Sequence, residues 1–182
     1  MCPAAHPQFG GCVAAMTAVA LTAADAATHR DAVSSLVIHI AGGILVRDGT
    51  LLLGRRALHK RICPGLWDIV GGHVEAGESA EQALARELGE EIGVVPVEMA
   101  RIAQLSLVDG TEAYELHVFR VDAWTGEPVL ADDEHSELRW FTVEEAAALP
   151  DLAAGEYVGM FRRLRSVVPP PPRFAQERVP KA

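Results

Sequence analysis

The sequence predicts an α+β domain, rich in strands and built around one prominent helix. Three observations carry that reading. Runs of β-branched and aliphatic residues recur at 36–40, 43–46, 51–53 and 67–70, and again over 97–107, 113–124 and 137–141. Between the two groups, residues 79–92 place Ala83, Leu84, Leu88 and Ile92 at helical spacing, an apolar stripe on an otherwise polar segment. The pair Asp48-Gly49 separates two of the runs and is the residue type that a two-residue hairpin turn selects.

Each element has its own punctuation. Ser79 is an N-cap candidate whose oxygen can take a free backbone N–H, and Gly93 stands where the helix should stop. A basic loop, 55–61, closes at Pro64-Gly65, and the strand at 67–70 runs into Gly71-Gly72. A short helix is expected over 143–148 and another over 156–166, with Tyr157, Met160, Phe161 and Leu164 on its apolar face. Residues 35–167 then form the domain. Residues 1–34 read as a flexible extension, of which alanine-rich 13–27 could form a loose helix, and 168–182 as a proline-rich mobile tail.

Composition narrows the function classes. At 182 residues and 49% hydrophobic, the chain can bury a core without cross-links. A net charge of -9 argues against nucleic-acid and membrane partners, which favour a basic face. Polyphosphates are still compatible with an acidic protein when metal ions stand between the two. Cys2, Cys12 and Cys63 show no metal-ligand spacing and no disulfide framework, and no basic leader precedes the alanine-rich start. A reducing, cytoplasmic compartment is the expectation.

The chemistry gathers on the central helix. Glu87, Glu90 and Glu91 are three and four residues apart, so they project from one side. Carboxylates crowded in this way repel one another unless cations intervene, and all-oxygen sites of high charge suit magnesium or manganese. A glutamate-rich helix face is by itself ordinary solvated surface. The frame around it overturns that reading: Gly71-Gly72 ends a strand, Gly77-Glu78 lies in the loop, and Arg86 directly precedes Glu87.

The run Gly72-x5-Glu78-x7-Arg86-Glu87-Leu88-x-Glu90-Glu91-x-Gly93-Val94 resembles the complete signature of the Nudix hydrolases, with all nine fixed positions at the family spacing. The resemblance implies the Nudix fold, a mixed sheet sandwiched between helices, and metal-dependent cleavage of a diphosphate bond in a nucleotide. It implies Mg2+, with Mn2+ as the alternative, held by Glu87 and Glu91, with Glu90, the carbonyl of Gly71 and Glu134 as further ligands. Glu90 or Glu134 would act as the base, and Arg86 would belong to the catalytic set, paired to Glu78. Arg56, Gly72 and Glu78 fall on the substrate side. The stretch around Trp124 and Glu134 to Trp140 is similar to MutT-type members, in which a glutamate shortly before the tryptophan serves the metal. Family members are often dimers, so a homodimer is allowed.

Other residues read plainly. Arg55 should point away from Arg56, because side chains alternate along a strand. His73, His59 and Lys60 read as exposed loop residues, although phosphate contacts from this loop would make sense, His39 as a sheet residue, and Trp67 and Trp140 as core. Two alternatives stay open. An isopentenyl-diphosphate isomerase shares the fold and resembles 55–73, but it places a cysteine before its Gly-His pair, where this chain has Gly71. A Nudix domain that only senses a nucleotide would have lost its carboxylates, and these are intact.

Overall fold

The computed structural model describes residues 17–18 and 37–164. The strands and helices are β1 (Thr17–Ala18), β2 (Ile38–Arg47), β3 (Thr50–Arg56), β4 (Trp67–Asp68), β5 (Val70–His73), α1 (Ala80–Ile92), β6 (Val95–Asp109), β7 (Glu112–Thr125), β8 (His135–Thr142), α2 (Val143–Ala147) and α3 (Glu156–Leu164). One expectation is corrected here. Thr17 and Ala18 are not helical but pair with Val108 and Leu107 of β6, and the rest of 13–27 lies outside the described residues.

β2 organises the sheet. It runs antiparallel to β3 and β5 and parallel to β7, so the sheet is mixed. The order is β1-β6-β7-β2-β3-β4, with β5 also on β2 and β8 on β3. The β2–β3 turn is the expected hairpin: Asp48 and Gly49 both take positive φ, 50° and 78°, between Arg47 and Thr50. The two runs at 36–40 and 43–46 are one strand, because Gly42 and Gly43 do not interrupt it. Their missing side chains make room instead: a Cβ at Gly42 would stand 2.4 Å from Ile69 and one at Gly43 would stand 3.1 Å from Leu84. Conversely, the single run expected at 67–70 is broken at Ile69, whose N–H donates to Asp68 Oδ1 at 2.8 Å.

Alternation along the strands divides the core into two layers. Ala41, Leu45, Leu52, Phe119 and Val121 face α1 and pack on Ala83, Leu84, Leu88 and Ile92. Ile44, Leu51, Leu53, Val118 and Phe141 face α2 and α3, which contribute Val143, Ala146, Tyr157, Met160, Phe161 and Leu164. The result is the α/β/α sandwich. Trp67 and Trp140 are both buried, Trp67 edge-on to Phe141 with centroids 4.9 Å apart. At the start of α1, the Ser79 N–H donates to Gln82 Oε1 at 2.8 Å and the Gln82 N–H to Ser79 Oγ at 3.2 Å, a reciprocal cap. Gly93 ends the helix with φ 69°.

Leu84 is fully buried beneath α1, so Leu84→Ala should lower the unfolding free energy by about 2–5 kcal/mol. Leu58, 83% exposed, should tolerate alanine within about 0.5 kcal/mol. Urea melts of both variants check this, and equal midpoints would show that α1 does not hold the core as described.

Candidate active site

A site forms where α1 passes behind β5. Leu84, Leu88 and Ile92 commit one face of the helix to the core, which turns Glu87 and Glu91, one turn apart, toward the strand. The strand admits them only because it carries glycine. Gly71 has φ 148° and a Cβ there would meet Ala41 O at 2.1 Å, while a Cβ on Gly72 would meet Glu87 Oε1 at 2.4 Å.

The cleft in front of these residues has two characters. Its polar end is lined by Arg56, Glu87, Glu91, Glu134, His73 and the Gly71-Gly72 backbone, and its apolar wall by Ile40, Ile62, Ile69, Leu107 and Leu116. Asp68 and Tyr157 also line it, and Tyr157 Oη donates to Asp68 Oδ1 at 2.8 Å. Burial raises the Asp68 carboxyl above its ordinary range, against the opposing charge of Arg56.

Glu91 is the most constrained group. It is 5% exposed, and its Oε2 is buried with no hydrogen-bond partner among the described residues. Burial first, then the charges of Glu87 and Glu134, push its carboxyl up to about 9. Glu87 is raised as well, burial outweighing the neighbouring Arg86. A buried oxygen without a partner beside a second carboxylate is a pair of hard oxygen donors, so the residues fit a divalent metal.

Arg86 stands behind the cleft as a clamp. Its Nε and Nη2 donate to the two oxygens of Glu78 at 3.0 and 3.1 Å, and Nη2 also to His73 O at 3.0 Å. Nη1 reaches Glu87 at 2.8 Å and Glu90 at 3.2 Å. The hydrogen bond from Arg86 holds the Glu78 carboxyl below its usual range. Glu78 and Glu90 therefore both face Arg86 and do not line the cleft, and Glu90 is largely exposed. Glu134 does line it, across from Glu91. Its carboxylate meets Arg56 Nη2 at 2.9 Å and Lys60 Nζ at 2.6 Å. Burial opposes ionisation of Glu134, but the bond from Lys60 and the two cations prevail and hold its carboxyl low. Arg56 is itself anchored by Nε on Ile62 O at 3.0 Å. Arg55 points the other way, toward Gly65 O and Asp151.

Three groups at the site were not singled out from sequence. Lys60 read as a loop residue, yet it reaches Glu134. Asp68 read as one more strand position. His135 lies buried beside Glu91, its Nδ1 3.8 Å from Glu91 Oε2, and burial lowers its imidazole to about 4, which leaves it neutral. Only the β3–β8 pairing brings His135 there, under Gly54, where a Cβ would stand 2.3 Å from the ring. No local signal in the sequence marks it. Cys63 is outside the cleft, its thiol raised by burial to about 11 and facing Ala153 O at 3.7 Å.

Comparison with known proteins places the fold in a family. The NUDIX domain family model matches residues 37–164. A CTP pyrophosphohydrolase of Escherichia coli is 35% identical over 114 residues, 63% of this chain and 82% of that protein. An isopentenyl-diphosphate Delta-isomerase 2 of Photorhabdus laumondii is 34% identical over 135 residues, 70% of this chain and 76% of that protein. Among solved structures, the MutT protein of Methanosarcina mazei Go1 superposes with a TM-score of 0.64 at 26% identity, over 74% of this chain and 97% of that one. With the family model spanning most of the chain and Glu87 and Glu91 of the signature lining the cleft, the chain belongs to the Nudix hydrolase family.

Proposed function

We propose that this enzyme cleaves the diphosphate bond of a nucleoside di- or triphosphate, or of a related nucleotide, with Mg2+ or Mn2+ as its cofactor. The observation that carries the reading is the unpartnered, buried Glu91 oxygen beside Glu87 at the polar end of a cleft whose other wall is apolar. Glu87, Glu91 and the Gly71 carbonyl would hold the ion, with Glu90 and Glu134 able to complete the set. A bound divalent cation supplies neutralisation of the phosphates and activation of the attacking water. Arg56 and Lys60 add positive charge for the phosphate chain, and the apolar wall accepts the base. Of the two candidate bases, Glu134 is favoured because it lines the cleft, whereas Glu90 stands outside it on Arg86. Arg86 and Glu78 act as positioning residues, fixing Glu87 and the loop through His73 O.

Hydrolysis is favoured over isomerisation by the cysteine geometry. Gly71 precedes Gly72-His73, and Cys63 is buried away from the cleft with its thiol protonated. The relatives named for CTP and, in Mycobacterium tuberculosis, for 8-oxo-dGTP support nucleoside triphosphates as the first compounds to try.

Phosphate and pyrophosphate release should therefore require Mg2+ or Mn2+ in a screen of canonical and oxidised nucleoside triphosphates, ADP-ribose, dinucleoside polyphosphates and isopentenyl diphosphate. Glu91→Gln should lose more than about a hundredfold, and Glu90→Gln less than Glu91→Gln. Conversion of isopentenyl diphosphate without release from any nucleotide would sink the hydrolase reading.

Glu91 also predicts a pH dependence. Its folded value of about 9 lies above the ordinary 4.5, so in that window the folded chain binds more protons than the unfolded one and stability falls as pH rises. His135, depressed to about 4 from 6.5, acts in the opposite sense and only below about pH 6.5. Between roughly pH 7 and 9, metal-free protein should thus lose thermal stability, and Glu91→Gln should flatten the trend. Mg2+ should raise the melting temperature more at the upper end. A flat wild-type profile in EDTA would contradict the burial of an unpaired Glu91.

A further inference from the structure

The sheet carries a second convergence of metal-ligating groups that the hydrolytic site does not use. β2 and β7 are parallel neighbours, and their register sets His39 beside Glu115. His117, two residues on, shares that face by alternation. It is the α1 face, the one that Ala41 and Phe119 occupy further along, and not the face that lends Ile40 and Leu116 to the cleft.

One nitrogen of each imidazole and one Glu115 oxygen lie within 4.8 Å of one another. His39 Nδ1 is 3.2 Å from His117 Nε2 and 3.5 Å from Glu115 Oε2. Ligand atoms about 2.0–2.2 Å from a tetrahedral zinc ion stand about 3.3–3.6 Å apart, so these spacings already suit one ion. Glu115 is held for the purpose: its other oxygen accepts from the Gln104 side-chain amide, leaving Oε2 toward His39. His39 is exposed, which leaves an open approach, while His117 is 9% exposed.

Protons alone satisfy this cluster poorly. His39 Nδ1 is the common neighbour of an imidazole nitrogen and a carboxylate oxygen, and a neutral ring has at most one proton to give there. If that proton goes to Glu115, His117 Nε2 has no donor from His39. If His117 donates instead, Glu115 Oε2 faces a lone pair. Arg101 is the cationic neighbour of His117. Arg101 leans against cation binding, but it is drawn toward Glu81, 3.9 Å away.

We propose that His39, Glu115 and His117 form a second metal site, for an imidazole-seeking divalent ion of the zinc type, that cross-links the parallel β2–β7 pair. Two nitrogens and one carboxylate suit zinc, where the hydrolytic carboxylates suit magnesium, so the two sites differ in preference.

The test uses the full chain, stripped of metal and then held in excess Mg2+ to occupy the carboxylate site. Calorimetric titration with Zn2+ should show one tight equivalent, and Co2+ in its place should give the intense visible absorption of a four- or five-coordinate ion. Zn2+ should also raise the melting temperature. His39→Ala, at an exposed position, should weaken this binding by about tenfold to a hundredfold while Mg2+-dependent hydrolysis stays within twofold. Glu115→Gln should weaken it in the same way. No Zn2+ binding in excess Mg2+ would overturn the site, and so would binding left unchanged in His39→Ala, which would place the ion elsewhere.

Discussion

The constraint on which the rest depends is the burial of a carboxylate that the protein itself does not neutralise. Glu91 sits one turn after Glu87 on a helix whose Leu84, Leu88 and Ile92 are committed to the core, and among the described residues no cation is bonded to its inner oxygen. Holding such a group costs free energy unless something else supplies the charge. Much of the local architecture follows from keeping it there. The reciprocal cap at Ser79 and Gln82 and the stop at Gly93 fix where the helix begins and ends, and so which face Glu91 takes. The glycine pair at 71–72 lets β5 pass close enough for its backbone to share the space of the carboxylates.

The cations are arranged around this centre and not upon it. Arg86 could have neutralised the cluster, but four acceptors hold it on the outer side: Glu78, Glu87, Glu90 and the His73 carbonyl. Arg56 and Lys60 are bound to Glu134 across the cleft. On the proposed function, the charge of Arg56 and Lys60 would lie along the phosphate chain, and the inner oxygen of Glu91 would be left for a metal. An acidic protein with a net charge of -9 can in this way offer an anionic substrate a favourable local field.

How much of this was legible in the sequence depends on the range of the interaction. Features set by neighbours along the chain read correctly: the α1 cap and stop, the Asp48-Gly49 hairpin, and the apolar face of α3. The strand at β2 was legible, but the reason for its glycines was not, because the local pattern does not show what packs against them. Here Ile69 and Leu84, from elsewhere in the chain, fill the space above them. The same holds at the site. The glutamates of α1 were visible because helical spacing gathers them. Lys60 meets Glu134 from 74 positions away in the chain, and His135 reaches Glu91 only through the β3–β8 register. Glu90 shows the limit of spacing itself: it lies on the expected side of the helix, yet Arg86 draws it to the rim. Thr17 and Ala18 are strand only because β6 offers them an edge.

The most direct measurement is the proton count on metal binding. Mg2+ would be titrated into the metal-free chain near pH 7 by calorimetry, in buffers of different ionisation enthalpy. With Glu91 held to about 9 in the metal-free fold, binding should release about one proton per ion, and Glu91→Gln should bind weakly with none released. Heats that do not vary with the buffer, or a full proton still released by Glu91→Gln, would show that the buried carboxylate is not the group that receives the metal.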